Sequence, residues 1–152
     1  MDFLQQIYNT DFGKLSAPFT WDETPADCRI YLYTDDFKAD MIGNGLAWDA
    51  IVIVFLLEAI PLLLQDIKFQ STSTIFQAAS ANKEGMKQFI LSFKKICDNN
   101  DTFYKLIHKV NFNYTVKAVL DFWSEYSGQL QSGIMDINKF TSLFNRRFPS
   151  NR

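Results

Sequence analysis

The stretch that decides the fold is Trp48–Ile67, with the sequence WDAIVIVFLLEAIPLLLQDI. In its central part, residues 50–64, only Glu58 and Pro61 are not simple apolar residues. A helix that is apolar on nearly every side belongs either in a protein core or in a membrane. A membrane span needs roughly 20 predominantly apolar residues, whereas this run is shorter and carries a glutamate in its middle. The sequence therefore predicts a buried helix of a soluble domain, which Pro61 kinks or ends.

The composition fits a single domain over residues 1–152 that is long enough to bury a sizeable core. The chain contains 15 Phe, 6 Tyr and 3 Trp, and we interpret these aromatic residues mainly as core volume, with some as anchors for a partner. The net charge of −2 and the dispersed basic residues argue against a nucleic-acid partner.

The two cysteines, Cys28 and Cys97, lie far apart in the sequence and in apolar surroundings. Buried free thiols in a reducing compartment are therefore favoured over a disulfide. The N-terminal residues show neither a basic leader nor an unbroken apolar segment, so we expect a cytoplasmic protein.

The first half of the chain predicts a short amphipathic helix over residues 3–8, a loop over 13–27 and then a strand. That strand, Cys28–Thr34, alternates between two faces. Asn44 is a suitable N-cap for the central helix. After this helix, Ile67–Gln70 and Thr74–Ala79 predict a hairpin.

The second half predicts amphipathic helices. Asn82 caps a helix whose apolar stripe runs from Met86 to Cys97, with Lys87 among the lysines away from it, and the run Asp98–Asp101 ends it and starts the next helix. The last 40 residues predict more helix, with a loop between Gly128 and Gly133 and a final helix capped by Asp136. The expected fold class is α+β: a small antiparallel or mixed sheet packed by a long central helix and further helices, with a helical C-terminal part.

The sequence contains no recognisable catalytic or metal-binding motif, and we expect no enzyme activity, no cofactor and no metal. The single histidine, His108, lies off the apolar stripe and is interpreted as a surface residue. The turn Gly43-Asn44-Gly45 before a helix lacks the further residues of a phosphate-binding loop and is interpreted as a turn with a cap. A well-formed domain without catalytic motifs favours a binding or inhibitory protein.

The acidic residues offer a candidate binding surface, because several of them lie in two loop segments near helix junctions. Acidic loops are most often simply solvated, and a partner-binding role is the alternative. On charge placement alone, the hypothetical partner-binding residues are Asp35, Asp36, Asp40, Asp98 and Asp101.

A family resemblance covers about residues 28–110. Gly43-Asn44-Gly45, then Trp48-Asp49 and the apolar helix, are followed by Phe69, the strand Ile75-Phe76 and the helix start Asn82-Lys83-Glu84. This order resembles the immunity protein 51 family of bacterial polymorphic-toxin systems. Leu46-Ala47 depart from it, since an aromatic and an acidic residue are expected there, and residues 111–152 form a C-terminal extension without a counterpart.

The resemblance implies a cytoplasmic protein without catalytic activity that binds a cognate toxin domain and blocks its active site or substrate access. The toxin would belong to a contact-dependent growth inhibition or related polymorphic toxin system, and a nuclease would suit the acidic loops. The partner is then a protein, not a nucleic acid or a membrane, and the free chain is a monomer or weak dimer. The alternatives are a small cytosolic enzyme with an unrecognised pocket and a homodimeric interaction domain.

Overall fold

The computed structural model describes residues 17–39 and 41–149, apart from the side chains of residues 112 and 113. Within that part, a four-stranded antiparallel sheet is packed by five α-helices, which confirms the α+β class. The predicted helix over residues 3–8 lies outside the described residues. No described helix combines the length and the apolar character needed to cross a membrane.

The sheet has the order β1-β2-β4-β3, with every neighbouring pair antiparallel. Alternate residues of each strand point to the same side of the sheet, so one face of the sheet, the inner face, is turned towards the core. In β2, for example, Ile30 and Leu32 are buried whereas Arg29 and Tyr33 are exposed. The strands are β1 (Thr20–Glu23), β2 (Cys28–Tyr33), β3 (Lys68–Phe69) and β4 (Ile75–Ser80).

Helix α1 (Gly45–Ala59) is the predicted buried central helix, and Asn44 caps it by accepting a hydrogen bond from the Leu46 amide at 2.8 Å. Ten of its residues are buried, so the apolar run is used as core. The helix ends before Pro61, and a 3-10 turn, Pro61–Gln65, leads to β3. This confirms Pro61 as the end of the main helix.

Helices α2 (Lys83–Asp98) and α3 (Asn100–His108) follow the sheet and are separated by Asn99, whose side chain caps α3. Asn82 caps α2 through the Gly85 amide at 2.9 Å, as predicted. A π-helical segment, Lys109–Tyr114, continues from α3.

Helices α4 (Val116–Gln131) and α5 (Ile137–Arg147) complete the core from the C-terminal side. Helix α4 packs on α1 and on the 3-10 turn, and its Trp123 ring lies 5.5 Å from that of Phe69 in β3. Asp136 caps α5 through the Lys139 amide at 2.8 Å, which confirms the predicted start of the final helix.

Three local predictions were wrong. Strand β1 was predicted as loop, but its pairing with β2 places Trp21 on the inner face, where the Lys87 ammonium lies 5.8 Å from the indole centroid. Lys87 is accordingly buried instead of facing solvent. Gly128 lies inside α4 and not at the edge of a loop, since the helix continues to Gln131.

Candidate interaction surface

The predicted acidic residues belong to two exposed segments: the loop from β2 to α1, and the junction of α2 with α3. Asp35 and Asp36 are exposed in the loop, and Asp98 and Asp101 are exposed at the junction. Asp40 lies outside the described residues. No metal-binding group of three or more His, Cys, Asp or Glu is found in the described part of the chain.

Lys38 brings the two segments together. Its ammonium donates a hydrogen bond to Asn100 Oδ1 at 3.0 Å across the gap between loop and junction. The same ammonium lies 5.4 Å from the ring centroid of Phe37 and 5.2 Å from that of Phe103. Lys38 has a φ of 55°, and its carbonyl accepts hydrogen bonds from the amides of Met41 and Ile42. The loop is therefore held against the start of α3, and the two segments that carry the four described aspartates adjoin each other at this contact.

The buried thiol of Cys97 lies beneath this contact. Burial raises the pKa of Cys97 to about 12, while the Lys38 charge lowers it and the Asp98 charge raises it. Both charges therefore act on the same thiol from opposite segments. A thiol with this raised pKa is protonated at neutral pH, and Cys97 is fully buried, which favours a packing role.

Two exposed tyrosines flank the acidic segments, and sequence reasoning did not single them out. Tyr33 at the end of β2 is 56% exposed, and Tyr104 in α3 is 58% exposed, beside the ring of His108. Exposed tyrosines are enriched among residues that anchor protein interfaces. The available signals were the outer-face position of Tyr33 in its strand and the position of Tyr104 outside the apolar stripe of α3.

The Gly-Asn-Gly turn has a structural role next to this surface. A Cβ atom on Gly45 would lie 2.1 Å from the Thr72 carbonyl oxygen and 2.2 Å from that of Ile75. The start of α1 thus touches the backbone of the β3–β4 hairpin, an approach that only glycine permits. The turn therefore packs a helix against a hairpin.

Asp49, one turn into α1, is buried with 5% of its surface exposed. The Ser71 hydroxyl donates a hydrogen bond to Asp49 Oδ1 at 2.6 Å, and the Gln77 amide donates to Ser71 Oγ at 2.9 Å. Burial raises the pKa of Asp49 to about 7, and the Ser71 hydrogen bond lowers it. This carboxyl therefore joins α1 to the hairpin and does not belong to the acidic surface.

Comparison with known families supplies the identification that this geometry alone does not. The family model described as immunity protein 51 matches residues 24–112. The chain belongs to the immunity protein 51 family. The matched segment extends slightly beyond the 28–110 expected from sequence, and it contains both acidic segments and the Gly-Asn-Gly turn. Comparisons with curated proteins and with solved structures find no match.

Proposed function

We propose that this chain is a cytoplasmic immunity protein that binds a cognate toxin domain and neutralises it by blocking its active site. The observation that carries this proposal is the family match over residues 24–112. The buried, protonated thiols and the structural use of the Gly-Asn-Gly turn are compatible with a binding protein without catalysis. The toxin would belong to a contact-dependent growth inhibition or related polymorphic system.

The surface proposed for toxin binding is the acidic corner, defined as Asp35, Asp36, Asp98 and Asp101 with the flanking tyrosines. Four exposed carboxylates in two adjoining segments favour a basic partner surface, because complementary charge accelerates association and fixes orientation. A basic surface is typical of a nuclease toxin, which must approach phosphates. Tyr33 and Tyr104 would supply the apolar contact that charges alone lack.

The direct test is protection in bacteria. Toxin domains encoded beside this gene are expressed with and without the chain, and the toxin whose growth inhibition is relieved is the cognate one. We expect rescue together with a stable one-to-one complex in size-exclusion chromatography, and a free chain that sediments as a monomer or weak dimer. If the chain neither rescues growth from these domains nor binds them, the proposed function is wrong.

The acidic corner is tested by charge reversal in two groups, Asp35→Lys with Asp36→Lys and Asp98→Lys with Asp101→Lys. Each pair should weaken binding to the rescued toxin at least about tenfold, equivalent to roughly 1.4 kcal/mol. The matched control reverses Asp22 and Asp121, which are also exposed and give the same change in net charge. Affinity unchanged in both test pairs, or reduced equally in the control, would reject the acidic corner as the binding surface.

A further inference from the structure

A cleft of about 410 Å³ opens beside the acidic corner, between the end of α1, the end of α2 and helix α3. Its walls include the apolar side chains of Phe55, Ala59, Ile96 and Leu106. The Phe55 ring packs against core rings of α2, 5.1 Å from that of Phe93. The apolar wall is therefore supported by the core from behind, and its shape is set before any partner arrives.

The rim of the cleft carries charge of the opposite sign to the acidic corner. Glu58 and Lys109 form an ion pair there, so the charged residues that line the cleft sum to one positive charge, and the exposed Lys105 makes no ion pair among the described residues. A smaller adjoining hollow of about 250 Å³ is lined by Lys105, Lys109, Tyr104 and His108. An occupant of complementary chemistry is apolar at its tip and acidic around it.

Helix α3 joins the two features into one surface. Its first turn carries Asp101, its middle carries the exposed Tyr104, and Lys105 and Leu106 reach the cleft. Residues three and four apart lie on the same side of a helix, so Asp101, Tyr104 and Lys105 are neighbours. A partner that covers the acidic corner along α3 would extend over the cleft.

We propose that the cleft receives a bulky apolar side chain of the toxin, carried on a segment with acidic residues that pair with Lys105. This inference rests on the proposed function and adds to it an apolar contact and an acidic segment on the toxin. Buried anchors in preformed pockets supply much of the binding energy of protein interfaces. Patches of opposite charge along α3 also allow only one orientation of the toxin, because the reversed orientation places like charges together.

The test fills the cleft with a side chain and compares it with an equal change elsewhere. Ala59→Trp places an indole at the cleft from the exposed last residue of α1. The control is Ser142→Trp, an exposed residue of α5 that lines a different cleft of about 430 Å³ among Asn138, Thr141 and Asn145. The probe is the purified toxin domain from which the wild-type chain rescues growth, and affinity is measured by titration calorimetry.

We expect Ala59→Trp to weaken binding at least tenfold and Ser142→Trp to change it less than threefold, with similar unfolding midpoints. Lys105→Glu, an exposed substitution that leaves the core intact, should weaken binding at least fivefold and keeps the test decisive if the tryptophan variant folds poorly. Wild-type affinity in the folded variants overturns the inference, and so does equal loss in the control. Altered self-association of Ala59→Trp with unchanged toxin affinity overturns it as well, since the occupant would be a second copy. Failure of the wild-type chain to bind any neighbouring toxin is a different result, which overturns the proposed function and this inference with it.

Discussion

At the scale of single residues, Asp49 has a strongly raised pKa. Its carboxyl is buried beside Ser71, and burial raises its pKa from 3.8 to about 7. Folding therefore favours the protonated form. The contribution of the protonated Asp49 carboxyl to the free energy of unfolding is fully present below the unfolded pKa of 3.8. It is lost as the pH rises through about 7.

The first prediction follows from this sign. Asp49→Asn keeps a hydrogen-bonding group beside Ser71 but cannot ionise, so at pH 8 it should be more stable than the wild type by about 2–4 kcal/mol. At pH 4 the difference should nearly vanish. Urea unfolding at both pH values measures it. Asp121→Asn, which removes only an exposed ion pair with Lys117, is the control and should leave the stability nearly unchanged at either pH. A D49N variant with no stability gain at pH 8 would show that the carboxylate is well solvated.

The second prediction concerns two glycines whose substitution should have opposite effects. Gly45→Ala should prevent α1 from seating on the hairpin, because its Cβ would meet two carbonyl oxygens at 2.1 and 2.2 Å. Gly128→Ala lies in a helix with nothing within 4 Å of the new Cβ, and should stabilise by roughly 0.5–1 kcal/mol. Thermal unfolding of both variants measures the contrast, and a G45A variant as stable as G128A would contradict the close approach.

At the scale of the elements, the C-terminal helices contribute a cluster of aromatic rings to the core. Phe122 in α4 is fully buried, and its ring centroid lies 5.1 Å from that of Phe140 and 5.2 Å from that of Phe144, both in α5. The Arg147 guanidinium lies 5.3 Å from the centroid of the Phe122 ring. Phe122 therefore contacts two rings and one cation of α5, and the Trp123–Phe140 ring contact and the Glu125–Arg147 ion pair also join the two helices.

The third prediction tests that attachment. Phe122→Ala should destabilise the chain by about 3–5 kcal/mol, the usual cost of removing a buried phenyl ring from a packed core. Denaturant unfolding measures the loss. The companion variant Trp123→Ala removes a half-buried ring of the same helix that contacts Phe69 in β3 and, at 6.0 Å, Phe140 in α5, and should cost less because it is less buried. The reverse order of the two losses would show that α5 is held by other contacts.

Sequence reasoning identified most elements because their signals are local. Asn44, Asn82, Asn99 and Asp136 all cap helices through their own side chains, and a capping residue is recognised from its immediate neighbours. Strand β1 was missed because it is short, polar and flanked by turn residues. Its formation depends on pairing with β2, which is a property of the assembled sheet.

At the scale of the whole molecule, residues beyond the family-matched segment contact its core. Gln131 at the end of α4 donates hydrogen bonds to the carbonyls of Leu64 at 3.2 Å and Ile67 at 2.5 Å. The buried apolar residues of residues 19–148 form one cluster that includes Phe144 and Phe148 as well as the central helix. We propose on this basis that the chain folds as one domain, with residues 111–152 as an extension that the core requires.

The fourth prediction addresses this domain organisation. The full chain should unfold in a single two-state transition, with circular dichroism and tryptophan fluorescence reporting the same midpoint. A chain truncated after residue 115 should not fold cooperatively, since the loss of α4 exposes the covered side of α1. A truncated chain with a sharp transition, or a full chain with two transitions, would show that the extension is a separate unit.

The sequence by itself determined the α+β class, the central helix and its end at Pro61, the burial of both cysteines, and the family resemblance. These follow from local composition and spacing, which act within a few residues along the chain. Only the tertiary structure decided that the two acidic segments meet through Lys38 and Asn100. The same holds for the burial of Asp49 and for the position of Glu58 at the solvent-exposed end of α1 beside Lys109. Each of these depends on contacts between residues more than 20 positions apart, and no pattern within a single segment contains that information.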